Sequence, residues 1–219
     1  MAFGRRVVPL EHGQASVYVP AGARTRRVPL ILLLHGAHGS GEEMLDRLLE
    51  GSGAPTAAVL APTAQGETWD ALIPESDTLL DGWSGPVSRG RFGRDIALLD
   101  EALALCASQV AIDVWRSGIV GFSDGATYAL AVGLASGSLF RRIAALSPGI
   151  LIADDAMGRP SVYVAHGLRD RVFPIERCGR RIANDLRLRG CDVTFREFDG
   201  GHELPRAVYQ DAVSWATSA

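Results

Sequence analysis

The sequence predicts an α/β protein, one mostly parallel sheet with helices on both faces, and three observations carry that prediction. Short apolar runs alternate with segments of helical periodicity through most of the chain. The run Pro29–Leu34 is continuously apolar, as in a strand buried on both faces. The runs stop at loops rich in glycine, histidine, serine and aspartate, where an open sheet binds its ligands. The 219 residues fit one domain spanning 1–219, with no internal repeat, linker or low-complexity stretch. A chain of this length buries roughly 70% of its unfolded surface and needs no staples to form a core.

Val7–Leu10 and Ala15–Val19, separated by Glu11-His12-Gly13-Gln14, read as an opening hairpin. Pro29–Leu34 follows as a buried strand and ends at His35-Gly36-Ala37-His38-Gly39-Ser40-Gly41. Ser40 with Glu43 three residues on is a capping box, so a helix starts there. Ala57–Leu60 is a short strand ending at Ala61-Pro62. Thr63–Phe92 is the least regular stretch, and a loop of that length in a compact domain is commonly functional. Arg94–Val110 is helical, with Ile96, Leu99 and Leu103 as its apolar stripe. Trp115–Val120 is a strand, Ala126–Ala135 a helix of small residues, and Arg142–Leu146 and Ser161–Ala165 are further strands. Pro174–Arg189 is a helix with proline in its first turn and Gly190 past its end. Asp192–Phe198 alternates as a last strand, and Glu203–Thr217 is the final helix.

Composition excludes several function classes. The net charge of −3 and the scattered arginines, clustered only at Arg24/Arg26/Arg27 and Arg187/Arg189, give no nucleic-acid footprint. Cys106, Cys178 and Cys191 are an odd count without metal-ligand spacing; Cys106 reads as core, and free thiols favour a reducing compartment. Arg5 and Arg6 are not followed by a signal-like apolar segment, and Leu30–Leu34 is far too short for a membrane span. A cytoplasmic protein is expected. No nucleotide fingerprint is present, and His35 with His38 shapes a glycine loop rather than holding a metal.

The chemistry centres on Gly121-Phe122-Ser123-Asp124-Gly125, which joins an apolar run to a helix of small residues. A serine at the tip of so tight a turn is exposed at the sheet edge, with the N–H of Asp124 aimed at the same space. A serine hydroxyl needs a base, and histidine is the usual one. His12 lies in the hairpin turn and reads as solvated; His35 and His166 each end a strand before glycine, where an imidazole braces a loop. His202 stands in the Gly200-Gly201 turn between the last strand and the last helix, free to reach over the edge. The carboxylates available to orient it are Asp154 or Asp155, Asp170 and Asp199. Asp199 is too close to His202 in one short loop, and Asp154-Asp155 reads as a helix start or loop, which favours Asp170. Activity is expected to rise with pH as the base loses its proton.

The order Ser123…Asp170…His202, each after a strand, together with His35-Gly36 after an early apolar strand, resembles the α/β-hydrolase superfamily across nearly the whole chain. The His-Gly-X-X-Gly-Ser-Gly loop and the absence of an insertion of lid size are similar to the phospholipase/carboxylesterase group, which includes acyl-protein thioesterases. There is also likeness to dienelactone hydrolases, whose nucleophile is cysteine where this chain has Ser123, and to polyhydroxybutyrate-depolymerase-like esterases. The resemblance implies a cap-less α/β-hydrolase fold and a cofactor-independent serine hydrolase of carboxylic esters. The triad would be Ser123, His202 and Asp170. The oxyanion donors would be the backbone N–H groups of Asp124 and Ala37. Trp69, Trp83 and Phe92 are candidate pocket walls, and the substrate is a small-molecule ester or thioester. A lysophospholipase, a small peptidase or a non-catalytic hydrolase-like binding protein are the alternatives; the peptidase lacks its usual extra domain, and the binding protein is expected to have lost a triad member.

Overall fold

Gly4–Leu10 (β1) and Gly13–Val19 (β2) pair as an antiparallel hairpin, Val7 lying opposite Ser16. β1 begins three residues before the expected start, on Gly4, Arg5 and Arg6. It is an edge strand whose residues alternate between half-buried and exposed, so charge is tolerated there. Arg5 leans over the sheet edge to Glu42 and Asp46. The computed structural model describes residues 3–52, 55–70, 93–152 and 159–218.

The remaining strands are Val28–Leu34 (β3), Ala58–Thr63 (β4), Ile112–Phe122 (β5), Arg142–Leu146 (β6), Ser161–Gly167 (β7) and Val193–Phe198 (β8). They form one eight-stranded sheet in the order β1-β2-β4-β3-β5-β6-β7-β8, antiparallel through β4 and parallel from there on. Every residue of β3 is buried, because helices cover both faces at the sheet centre. Each Leu or Ile removed from water there contributes roughly 1.5–3 kcal/mol. β5 begins at Ile112, before the expected Trp115. Val114 and Trp115 are exposed, so the leading end of the strand shows no apolar run.

Gly41–Ser52 (α1) and Arg206–Ala216 (α5) cover one face, burying Leu45, Leu48, Tyr209 and Val213. Arg94–Gln109 (α2), Asp124–Ala135 (α3) and Gly179–Leu188 (α4) cover the other, burying Leu99, Cys106, Leu130 and Ile182. The capping box forms: Ser40 Oγ accepts from Glu43 N–H and the Glu43 carboxylate from Ser40 N–H. On α2 the buried face runs through Leu98, Leu99, Ala102 and Cys106, with Ile96 and Leu103 only at its margins. α4 starts five residues after Pro174, since Pro174–Cys178 is an irregular turn in which Arg180 N–H reaches Ile175 O. α5 starts after Pro205, which leaves Glu203 free to bond Gly201 N–H.

The three cysteines are free and buried. Burial pushes the thiols of Cys106 and Cys178 up to about 11, so both stay protonated at neutral pH. Among the described residues, no helix is long and apolar enough to cross a membrane.

Candidate active site

The carboxyl ends of β3, β5, β7 and β8 share one sheet edge, and each delivers one part of the site. β5 ends at Phe122, and Ser123 follows at φ 56°, ψ −121°. A non-glycine residue in that region stores about 1–3 kcal/mol of strain and persists only where its surroundings impose it. Here Ser123 N–H is fastened to Leu146 O on β6 at 2.9 Å, while its carbonyl accepts the first bonds of α3 from Ala126 and Thr127. A Cβ on Gly121 would overlap Gly125 O, and one on Gly125 would overlap the carbonyls of Leu34 and His35. Both glycines of Gly-X-Ser-X-Gly are therefore demanded by backbone lying against backbone.

Ser123 Oγ lies 2.8 Å from His202 Nε2, and His202 Nδ1 lies 2.7 Å from Asp170 Oδ2. The carboxylate can only accept, so Nδ1 carries the proton and Nε2 is the acceptor for the serine hydroxyl. His202 is clasped edge-on by Phe173 and in a tilted stack by Phe122. Its turn is tightly held rather than loose: Leu168 N–H donates to Phe198 O and Arg169 N–H to Gly200 O. A side chain at Gly167 would overlap Gly201 O, so that glycine sets how close the β7 and β8 loops approach. Asp199 points outward to Arg169, and Asp154-Asp155 lies outside the described residues.

The Asp170 side chain is fully buried. Its Oδ1 accepts from Val172 N–H and Phe173 N–H, and its Oδ2 from His202. The turn carboxylate and the histidine partner are thus one residue in two roles. Oδ2 also lies 3.2 Å from His166 Nε2, a contact the residue types alone did not single out. His166 is buried, and desolvation lowers its pKa against the smaller raising effects of Phe173 O and Asp170. A neutral ring with its proton on Nε2 satisfies Phe173 O at 2.7 Å and Asp170 together. The signal that could have found it is the i, i+4 spacing of His166 and Asp170.

His35 braces its loop, as its place before glycine suggested. Nδ1–H donates to Gly36 O at 2.7 Å, and Nε2 accepts from Ala64 N–H at 3.0 Å. Desolvation lowers its pKa, so the ring is held neutral. Gly36 packs so close that a Cβ there would lie 3.1 Å from Ser123 Cβ. Ala37 is exposed beside it, and neither its N–H nor that of Asp124 is engaged by another backbone carbonyl among the described residues. His12 is not simply solvated: it pairs with Glu101, which also accepts the N–H groups of Glu11 and His12.

The expected pocket wall Trp69 is instead fully buried. Its Nε1–H donates to His35 O, and its ring lies between His35 and Tyr128. An indole needs a partner for its N–H when buried, and here it finds one inside the core beneath the loop. Trp83 and Phe92 lie outside the described residues.

Comparison with known proteins gives the chain's family and fold. The Esterase family model matches residues 11–171, about three quarters of the chain. No curated protein sequence matches it closely enough to carry a comparison. Among solved structures, esterase PE8 superposes with a TM-score of 0.67 at 22% identity, covering 98% of each chain. An S-formylglutathione hydrolase from Agrobacterium tumefaciens gives 0.64 at 20% identity, covering 99% of this chain and 96% of its own. A carboxylesterase from Mesorhizobium loti gives 0.66 at 17% identity, covering 96% and 99%. At these identities the structural matches speak for the fold, an α/β-hydrolase fold, and the family match speaks for the lineage: the chain belongs to the esterase family and is a carboxylic ester hydrolase.

Proposed function

We propose that this protein cleaves carboxylic esters of small molecules through an acyl-enzyme on Ser123, without a cofactor. The observation that carries the reading is the unbroken run of hydrogen bonds from Ser123 Oγ through His202 to Asp170. In the first half-reaction Ser123 Oγ attacks the ester carbonyl carbon while His202 Nε2 takes its proton. The C–O bond to the alcohol then breaks as the imidazolium returns that proton to the leaving oxygen. In the second half-reaction His202 deprotonates water, which attacks the acyl carbon; the bond from that carbon to Ser123 Oγ breaks as the imidazolium returns the proton to Oγ, releasing the acid. Asp170 holds the Nδ1–H tautomer and stabilises the imidazolium.

The N–H groups of Ala37 and Asp124 flank the place where the carbonyl oxygen becomes negative. Fixed donors of this kind contribute roughly 3–4 kcal/mol each. Asp124 N–H opens α3, so the positive end of the helix dipole adds to it. A thioester fits the same chemistry with a better leaving group, and the S-formylglutathione hydrolase among the similar structures favours keeping it as the second reading. A cytoplasmic location suits three reduced cysteines.

A fluorophosphonate probe is expected to label the folded protein once, at Ser123, and Ser123→Ala to lose both labelling and turnover. Unlabelled wild-type protein would overturn the hydrolase mechanism. With labelling in hand, p-nitrophenyl esters from acetate to palmitate, run beside thioesters, assign the acyl and leaving-group preference.

A further inference from the structure

Four consecutive residues after β4, Glu67–Asp70, bond to both sides of the nucleophile. Glu67 O accepts from His38 N–H at 2.6 Å, in the loop that carries Ala37. Trp69 Nε1–H donates to His35 O at 2.8 Å, at the root of the same loop. Thr68 crosses to the other side, its hydroxyl donating to Asp124 Oδ2 at 2.7 Å. Asp70 Oδ1 accepts from Tyr128 on α3, and its Oδ2 accepts from Gly93 and Asp95 N–H. The two N–H groups assigned to the oxyanion site sit on different elements, the β3 loop and the start of α3. This short segment hydrogen-bonds to both of those elements.

Thr68 occupies the electrostatically critical place. Asp124 puts a carboxylate one residue from the nucleophile, beside an oxygen that must turn negative during reaction. A charge of the same sign there opposes the transition state unless it is turned aside and hydrogen-bonded. Asp124 is half-buried, and among the described residues its Oδ2 accepts one side-chain hydrogen bond, from Thr68. The carboxylate is otherwise free to swing back over the unpaired N–H groups at the start of α3 and compete with the substrate for them.

We propose that Thr68 is a positioning residue for the oxyanion site, holding the Asp124 carboxylate away from the N–H donors while Glu67 and Trp69 fix the loop opposite. The proposal rests on the serine-hydrolase reading, and the experiment separates the two. Fluorophosphonate titration counts working Ser123 sites in every variant, so failure of that reading appears as no titratable sites in the wild type. For Thr68→Val, kcat per titrated site is expected to fall about tenfold or more, less than the 10²–10³ for losing a donor outright. KM for a p-nitrophenyl ester should stay within about twofold, because the ground-state carbonyl gains little from these donors. Affinity for a trifluoromethyl ketone, which forms the oxyanion adduct, should weaken by about the same factor as kcat/KM.

Thr68→Ser keeps the hydroxyl and should recover most of the loss. Whatever Asp124→Asn costs by itself, adding Thr68→Val to it should cost less than about twofold, since no charge remains to be turned aside. If Thr68→Val yields no folded protein, Thr68→Ala tests the same bond with a smaller residue. Three outcomes overturn the proposal: kcat per titrated site within twofold of wild type, a loss explained wholly by fewer titrated sites, or equal costs of Thr68→Val in the wild-type and Asp124→Asn backgrounds.

Discussion

At the scale of single residues, the site depends on imidazoles that are alike in type and opposite in role. His202 is partly open to solvent and faces a hydroxyl; His35 and His166 are buried and kept neutral by desolvation. Their lowered folded-state pKa has a definite sign in stability. Between the lowered values and the ordinary 6.5, the unfolded chain binds protons that the folded one does not. The stabilisation is therefore complete above pH about 6.5 and is lost as pH falls through that window. Urea midpoints should be lower at pH 5.5 than at 7.5, and His35→Gln should reduce that difference while lowering stability at neutral pH. An equal midpoint shift in both proteins would remove His35 from this account. The loss at neutral pH is expected at about 1–3 kcal/mol, the cost of leaving buried partners such as Ala64 N–H poorly satisfied.

At the scale of elements, the strand–turn–helix from β5 to α3 works because nothing larger than hydrogen separates its backbones. Gly125→Ala forces a methyl into the carbonyls of Leu34 and His35, which are backbone atoms of the buried central strand and its loop. We expect it to cost about 3 kcal/mol or more in urea unfolding, with turnover lost even where the protein folds. A second element-level staple joins Asp70 to the start of α2. Asp95 is fully buried and accepts from Gln65 and Asp70 N–H, while Asp70 accepts from Asp95 and Gly93 N–H. Asp95→Ala strands two donors and should destabilise by about 1–3 kcal/mol, with Asp95→Asn milder because its carbonyl still accepts. Equal melting temperatures for the wild type and Asp95→Ala would show that water replaces the carboxylate freely. Because Asp95 also supports Asp70 and hence Thr68, Asp95→Ala should lower kcat more than it raises KM.

At the scale of the whole molecule, the parallel sheet gathers separate loops at one edge. β6 lies between β5 and β7, and the space that its width leaves is spanned by the Asp170 turn and by His202 reaching back to Ser123. The register makes this reproducible: Leu34 lies beside Gly121, Phe122 beside Leu146, and Gly167 beside Phe198. All the strand ends thus fall nearly level, and side chains one to four residues beyond them meet. Asp170→Asn should test this assembly without disturbing it, since it keeps the turn acceptor but loses the charge facing His202. By the behaviour of comparable triads, kcat is expected to fall about 10⁴-fold with the fold intact. A loss below tenfold would mean that another carboxylate orients His202.

The chain order, the glycine pair around Ser123, the capping box at Ser40 and the continuous β3 are local patterns, and the sequence alone determined them. Periodicity and steric demand act over a few residues and leave their mark in the letters. It also separated His202 from His35, because a histidine after Gly-Gly differs from one at a buried strand's last residue. The tertiary structure alone decided which surfaces meet. It buried Trp69 beneath the loop that follows β3, placed His166 on Asp170, and joined Thr68 to Asp124. Those partners are separated along the chain by segments whose path no local propensity encodes. Their meeting follows from strand order and register, and so does the difference between a serine at the end of a strand and one hydrogen-bonded to a histidine that is itself bonded to a buried carboxylate.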